Sequence, residues 1–241
     1  MNKRGTHVGF VFSFMIFIFF LISLYVILEP KIKSEKSKEF ILDYLENVLT
    51  KEASSKLTIA VISINSNLIN PTNPLDKKTC VNIEHPKEDL GLNSVVKDKN
   101  NNIIDSKSSS SYLTISHQDK TFFKIYYSKE LFNEQTTAET DCNYLKKETD
   151  YSADTVKNEY IFETKISEIK GRYETDYEGL KDDLKMPNGE FSFSLKDNNE
   201  KNIISTPEKQ TTADIYVKEI PIQYVDKDAN IKSGIMNIKV W

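Results

Sequence analysis

Cys80 and Cys142 are the two cysteines of the sequence and its candidates for thiol chemistry. Neither lies in a C-x-x-C motif or in a protease-like setting with His or Asn. The three histidines, His7, His85 and His117, are too scattered to suggest a zinc site. In an oxidising compartment the two cysteines would form one intramolecular disulfide, which closes a long loop and stabilises the fold by roughly 4 kcal/mol. Two unpaired thiols are the alternative.

The segment Asp226–Asn230 matches the opening of a calcium-binding loop, with carboxylate or amide side chains at its first, third and fifth positions. The sixth position is Ile231 rather than Gly, and the twelfth is Asn237 rather than Glu. The sharp turn and the bidentate ligand of such a loop are therefore missing. We interpret this segment, and the similar Asp98–Asn102, as hairpin turns capped by Asx side chains. The sequence predicts no metal and no other cofactor.

A catalytic site would need one of two arrangements. Either a nucleophile lies beside a base, or two carboxylates face each other. No G-x-S-x-G motif occurs. The paired carboxylates Asp182/Asp183 lie in a segment of helical periodicity, where adjacent residues do not face each other. We therefore expect no catalytic activity, and an anchored enzyme is a distant alternative.

The charge balance disfavours a nucleic-acid partner. The chain carries 32 basic and 36 acidic residues, a net charge of −4, and its mean hydropathy is −0.47 even with its apolar segment included. A nucleic-acid-binding surface would show a basic stripe instead. The seven glycines also disfavour Gly-rich phosphate loops.

The elements that position these residues begin with an uncharged run from Val8 to Leu28 that includes Phe14 and Phe20. As a helix it would span roughly 30 Å, the thickness of a bilayer core. A cleaved signal peptide would have a shorter apolar region and an A-x-A-like cleavage site, and neither is found. A helix buried inside a soluble core is the other alternative. We predict a retained membrane anchor with a cytoplasmic N-terminus.

An amphipathic helix is predicted next, over 34–53, after a break marked by Pro30. Its apolar positions recur at helical spacing along one stripe: Phe40, Ile41, Tyr44, Leu45, Val48 and Leu49. A second amphipathic helix is predicted from Ile166 to Leu184, ended by Pro187, Asn188 and Gly189.

The rest of the chain alternates short apolar runs with turn residues, which predicts strands. Residues 112–116 and 121–127, joined by His117–Lys120, predict a hairpin, and so do 94–98 and 102–106. The fold class is therefore α+β, with a mainly antiparallel β-rich head. We divide the chain into an anchor (1–30), a helix plus β-rich subdomain (31–132), a linker (133–157) and a second helix plus β-rich subdomain (158–241).

A short basic leader ending in Gly5, then an apolar helix, an amphipathic continuation and a β-rich head, resembles the plan of type IV pilins and pilin-like proteins with class III signal peptides. The resemblance implies cleavage between Gly5 and Thr6, a helical spine to about Ala53, and filament packing through the apolar helices. One departure is Phe10, because pilins that polymerise well usually carry Glu at that position after cleavage. The head is also similar to the external parts of uncharacterised membrane-anchored archaeal proteins.

Two functions from different classes follow. The first is a single-pass structural or assembly protein of the cell membrane with an extracytoplasmic head, and the resemblance implies a pilin-like subunit. Its partners would be the lipid bilayer and, through the N-terminal helix, further copies of the same chain or other membrane-anchored subunits. The alternative is a monomeric membrane-tethered domain that binds a ligand or a partner.

Overall fold

The computed structural model describes residues 5–69, 78–84, 93–133, 141–186, 189–207 and 211–241. The helices are α1 (Gly5–Ala53), α2 (Ser66–Ile69), α3 (Glu163–Thr175) and α4 (Tyr177–Asp183). The strands of the first half are β1 (Ser54–Ile64), β2 (Cys80–Glu84), β3 (Asn93–Lys97), β4 (Ile103–Ile104), β5 (Ser106–Ser108), β6 (Tyr112–Ser116) and β7 (Phe122–Ser128). Those of the second half are β8 (Asn143–Leu145), β9 (Tyr151–Phe162), β10 (Phe191–Asp197), β11 (Asn202–Ser205), β12 (Tyr216–Val225) and β13 (Ile231–Val240). The predicted α+β class is confirmed.

Helix α1 is one continuous helix of 49 residues. The predicted break at Pro30 is therefore wrong: a proline removes one backbone hydrogen bond from a helix, and the helix here continues on both sides of it. The C-terminal part of α1 is held by burial of Ile41, Leu45 and Leu49 in the core of the head. Phe40, predicted to share that apolar stripe, instead remains 66% exposed.

A nine-stranded mixed sheet forms the main body of the head, in the order β11-β10-β13-β12-β9-β1-β7-β3-β4. Strand β1 follows α1 without a loop and lies inside the sheet, antiparallel to β7 on one side and to β9 on the other. The sheet contains strands from both predicted subdomains. Its two parts meet where β9 and β12 pair in parallel at Ile161 and Phe162.

A second sheet of four strands, in the order β5-β6-β2-β8, packs over one end of the large sheet. The predicted hairpin of β6 and β7 is wrong, because β6 pairs with β2 and β5 whereas β7 pairs with β1 and β3. The five-residue connection, 117–121, instead carries the chain from one sheet to the other. This arrangement buries Leu113 and Ile115 of β6 against Phe123 and Ile125 of β7 in one core. The predicted hairpin of β3 and β4 is confirmed.

Helices α1, α3 and α4 cover the other end of the large sheet and share its main apolar core. The single predicted helix from Ile166 to Leu184 is divided at Asp176, whose side chain accepts a hydrogen bond from the Gly179 N–H and so begins α4. The predicted stop at Pro187 and Asn188 lies outside the described residues. Strand β8 and the first half of β9 fall within 133–157, the range predicted as a linker.

Candidate functional site: apolar helix, disulfide and buried lysine

The N-terminal part of α1, Gly9–Glu29, is long and apolar enough to cross a membrane, and no other described helix is. None of it is buried against the rest of the described chain. Among the predicted anchor residues, Phe14 is 57% exposed, Phe20 60% and Leu28 45%. Val8 belongs to the same helix, and Gly5 and Thr6 are its first two residues. Such a continuous apolar surface is unfavourable in water and is suited to a lipid or protein environment.

The other end of α1 is fastened to the head by polar contacts as well as by the core. The Tyr44 hydroxyl donates a hydrogen bond to the Leu184 carbonyl oxygen at 2.9 Å. Lys218 of β12 reaches Asp43 and Glu46 of α1, with both Nζ–O distances at 2.5 Å. The apolar N-terminal part and the head are therefore joined through one helix that is packed along its C-terminal part.

Cys80 and Cys142 are paired as a disulfide, with their Cα atoms 4.7 Å apart. Cys80 begins β2 and is buried, and Cys142 immediately precedes β8. Strand β8 pairs in parallel with β2 over three positions, from Val81↔Asn143 to Ile83↔Leu145. The disulfide thus adds a covalent link beside a very short ladder.

Three hairpin turns of the head share one design, in which an aspartate begins a five-residue turn. In each, the Asp Oδ1 accepts hydrogen bonds from the backbone N–H groups two and four residues later, as in Asp98, Asp197 and Asp226. The fourth turn residue has a positive φ: 64° at Asn101, 61° at Glu200 and 55° at Ala229. The predicted Asx-capped turns at Asp98–Asn102 and Asp226–Asn230 are confirmed, and Asp197–Lys201 is a third.

Lys97, the last residue of β3, is buried beneath the turn Asp226–Asn230. Only 1% of its surface is exposed. Its Nζ donates hydrogen bonds to the Ala229 carbonyl oxygen at 2.9 Å and to Asn230 Oδ1 at 2.8 Å. The same nitrogen lies 4.9 Å from the centre of the Tyr126 ring. Beside them is an apolar cluster formed by Leu57, Val95, Tyr126, Phe162, Val225 and Ala229.

Asn230 connects the lysine to a buried carboxylate. Its Nδ2 donates to Asp226 Oδ2 at 2.9 Å and to Oδ1 at 3.2 Å. Lys232 contacts the same carboxylate from the outside, at 2.7 Å. Burial lowers the pKa of Lys97, and the negative charge of Asp226 opposes this change. Burial alone would raise the pKa of Asp226, but hydrogen bonds from Lys232 and Asn230 hold it below its ordinary value.

Glu163, at the start of α3, lines a nearby pocket of about 590 Å³ together with Tyr224 and Lys232. Burial raises the pKa of the Glu163 carboxyl group. The Asp197 turn forms part of the same wall. In the described part of the chain, no three His, Cys, Asp or Glu side chains lie close enough together to hold a metal ion.

No protein-family model matches this chain, and neither a curated protein nor a solved structure is significantly similar to it.

Sequence reasoning identified the disulfide pair and the Asx turns but missed the buried position of Lys97. The repeated Asp-x-x-x-Asn spacing at 98–102 and 226–230 was a visible signal for the turns. Nothing comparable identified Lys97, because the contact joins residues 133 positions apart and depends on how the sheet folds over itself.

Proposed function

We propose that this protein is a single-pass, membrane-anchored, extracytoplasmic subunit of a structural assembly, with its head presented on a rigid helical spine. The observation that carries the proposal is the division of α1 into an apolar part exposed from Gly9 to Glu29 and a part packed into the head. At 1.5 Å per residue the whole helix is about 73 Å long, more than twice the thickness of a bilayer core.

The continuity of α1 supports a structural role. A simple tether needs only a span and a flexible linker, whereas here one helix runs unbroken from the apolar segment to the core of the head. The packed end is fixed by Tyr44, by the two carboxylates that contact Lys218, and by Leu45 and Leu49. A helix fixed in this way transmits the position of its apolar half to the head.

An extracytoplasmic head is supported by the Cys80–Cys142 pair, since structural disulfides form in oxidising compartments. The leader is short and basic, with Lys3 and Arg4 before the apolar run. Treating intact cells with a membrane-impermeant protease tests this topology: we expect the head to be degraded without lysis, and protection until lysis would contradict it.

Anchoring is tested with two substitutions on the same helix. Phe20→Lys places a charge in the apolar span, which costs about 3 kcal/mol near the centre of a membrane helix. We expect this variant to be depleted from the membrane fraction after alkaline extraction. Phe40→Lys is the matched control, because Phe40 is exposed but lies beyond the span. Equal retention of both variants would refute the anchor.

Assembly is tested by the N-terminus of the mature protein and by self-association. We expect protein purified from membranes to begin at Thr6, and two differently tagged copies to co-purify after mild detergent extraction. A mature protein that keeps Met1 and does not associate with its other copy would exclude the pilin-like proposal.

A membrane-tethered binding domain is the second candidate, and one observation favours it. A pocket of about 190 Å³ lies on the outer face of β10 and β13, lined by Ser192, Ser194, Lys196 and Asn237 among others. The side chain of Asn237 is buried, and its Oδ1 accepts no hydrogen bond from the described residues. A ligand with a hydroxyl group would satisfy that oxygen. Monomeric protein with an intact Met1 would favour this function over assembly.

A further inference from the structure

We propose that Lys97 and Asn230 become joined by an amide bond between their side chains, a covalent cross-link between β3 and the β12–β13 turn. The Lys97 Nζ lies 2.8 Å from Asn230 Oδ1. Because a C=O bond is about 1.2 Å long, the distance from Nζ to the carboxamide carbon is no more than about 4 Å. A small shift of the lysine chain reaches the roughly 3–3.5 Å of a near-attack geometry.

Asp226 lies on the leaving-group side of the Asn230 carboxamide. Its two carboxylate oxygens hold the Asn230 Nδ2, the nitrogen that would leave, at 2.9 and 3.2 Å. As the lysine nitrogen moves towards the carboxamide carbon it approaches this carboxylate, which takes up its proton and delivers it to the leaving nitrogen. The apolar side chains of Leu57, Val95 and Phe162 lie in the adjoining cluster. Such surroundings favour the uncharged form of an amine, which is its nucleophilic form.

The reaction balances without any co-reactant. The Lys97 nitrogen forms a bond to the Asn230 carboxamide carbon, and the bond from that carbon to Nδ2 breaks. Counted from the protonated side chain, the lysine nitrogen begins with three hydrogens, loses one proton to become the attacking amine, and ends as an amide nitrogen with one hydrogen. Its two protons pass to the leaving nitrogen, which departs as an ammonium ion. Charge is conserved, and nothing is oxidised or reduced.

The turn Asp98–Asn102 provides an internal comparison. Asn102 Nδ2 donates to Asp98 Oδ2 at 3.2 Å, as Asn230 does to Asp226. Among the described residues, however, no lysine amine contacts Asn102 Oδ1. The Asp–Asn contact is thus shared by two of the three turns. The buried lysine amine is the additional feature at 226–230, and it makes Asn230 the reactive asparagine.

Peptide mapping by mass spectrometry tests the proposal on the full chain purified from membranes. After reduction and tryptic digestion, we expect a branched species that joins residues 88–99 to 228–232, because an acylated Lys97 is not cleaved. Its mass should be lower than the sum of the two peptides by one ammonia. Recovery of peptides 88–97 and 228–232 separately, at their ordinary masses, would overturn the proposal.

Four variants identify the chemistry. Lys97→Arg keeps the positive charge but removes the reactive amine, and Asn230→Ala removes the carboxamide, so both should lose the branched peptide. Asn102→Ala is the matched control and should keep it. Asp226→Ala should lose the link although Lys97 and Asn230 remain, and a linked Asp226→Ala protein would refute the role of this carboxylate. A cooperative urea-unfolding transition in far-UV circular dichroism for each variant shows that the head has folded.

Discussion

Removing the disulfide should destabilise the head by an amount that the loop length determines. The bond closes a loop across a sequence separation of 62 residues. In the chain-entropy model such a loop restricts the unfolded chain by about 4 kcal/mol at 25 °C. The perturbation is the double variant Cys80→Ala/Cys142→Ala. Alanine is preferred to serine because Cys80 is buried, and a serine hydroxyl there would add a separate cost.

The assay is urea unfolding of the oxidised protein and of the double variant, followed by far-UV circular dichroism in the same detergent. For a slope of about 2 kcal/mol per molar urea, the expected loss lowers the midpoint by about 2 M. Reductant should lower the midpoint of the native sequence by a similar amount and leave that of the double variant unchanged. A midpoint within about 0.5 M of the oxidised protein would refute the reasoning, since a shift that small leaves most of the entropic term unaccounted for.

The remaining predictions concern the turns, the helix and two glycines. Burial alone would raise the pKa of Asp98, but hydrogen bonds from Asn102 and Lys120 lower it to about 2 from an ordinary 3.8. The stability that this carboxylate provides should be complete above about pH 5 and should be lost as the pH falls towards 2. Asp98→Asn should therefore be less stable than the native sequence at pH 7, and the difference should disappear in unfolding experiments near pH 2. Leu45→Ala should cost about 2–5 kcal/mol in urea unfolding because Leu45 is fully buried between α1 and the sheet, and an equally stable variant would contradict that packing. Gly234→Ala should be destabilising, because its Cβ would lie 2.6 Å from the Lys196 carbonyl oxygen. Gly171→Ala should instead raise the melting temperature, because the added Cβ meets open space in α3 and alanine has a higher helix propensity, by up to about 1 kcal/mol. The opposite order of melting temperatures would refute this account.

Local patterns in the sequence predicted the elements that local forces determine. The apolar run to Leu28, the stripe through Leu45 and Leu49, and the Asx turns each follow from spacing within a few residues. The division of the second helix at Asp176 was missed, because its apolar positions continue at helical spacing across a capping residue.

Pairing between distant strands could not be read in the same way. The sequence places β6 and β7 beside each other with a short turn, which is the usual signal for a hairpin. The structure separates them because each strand buries one face in a core that lies between two sheets. The position of Lys97 depends on the same long-range packing, since its partners lie 132 and 133 residues away.

The direct junction of α1 and β1 has a mechanical consequence. Ser54 follows Ala53 without a connecting loop, and β1 is paired on both sides, with β7 and β9. A pulling force on the apolar helix therefore enters the head at an interior strand rather than at a sheet edge. To extract that strand, both hydrogen-bonded ladders must break in addition to the apolar contacts of the helix. The head is built to withstand tension along its own N-terminal helix.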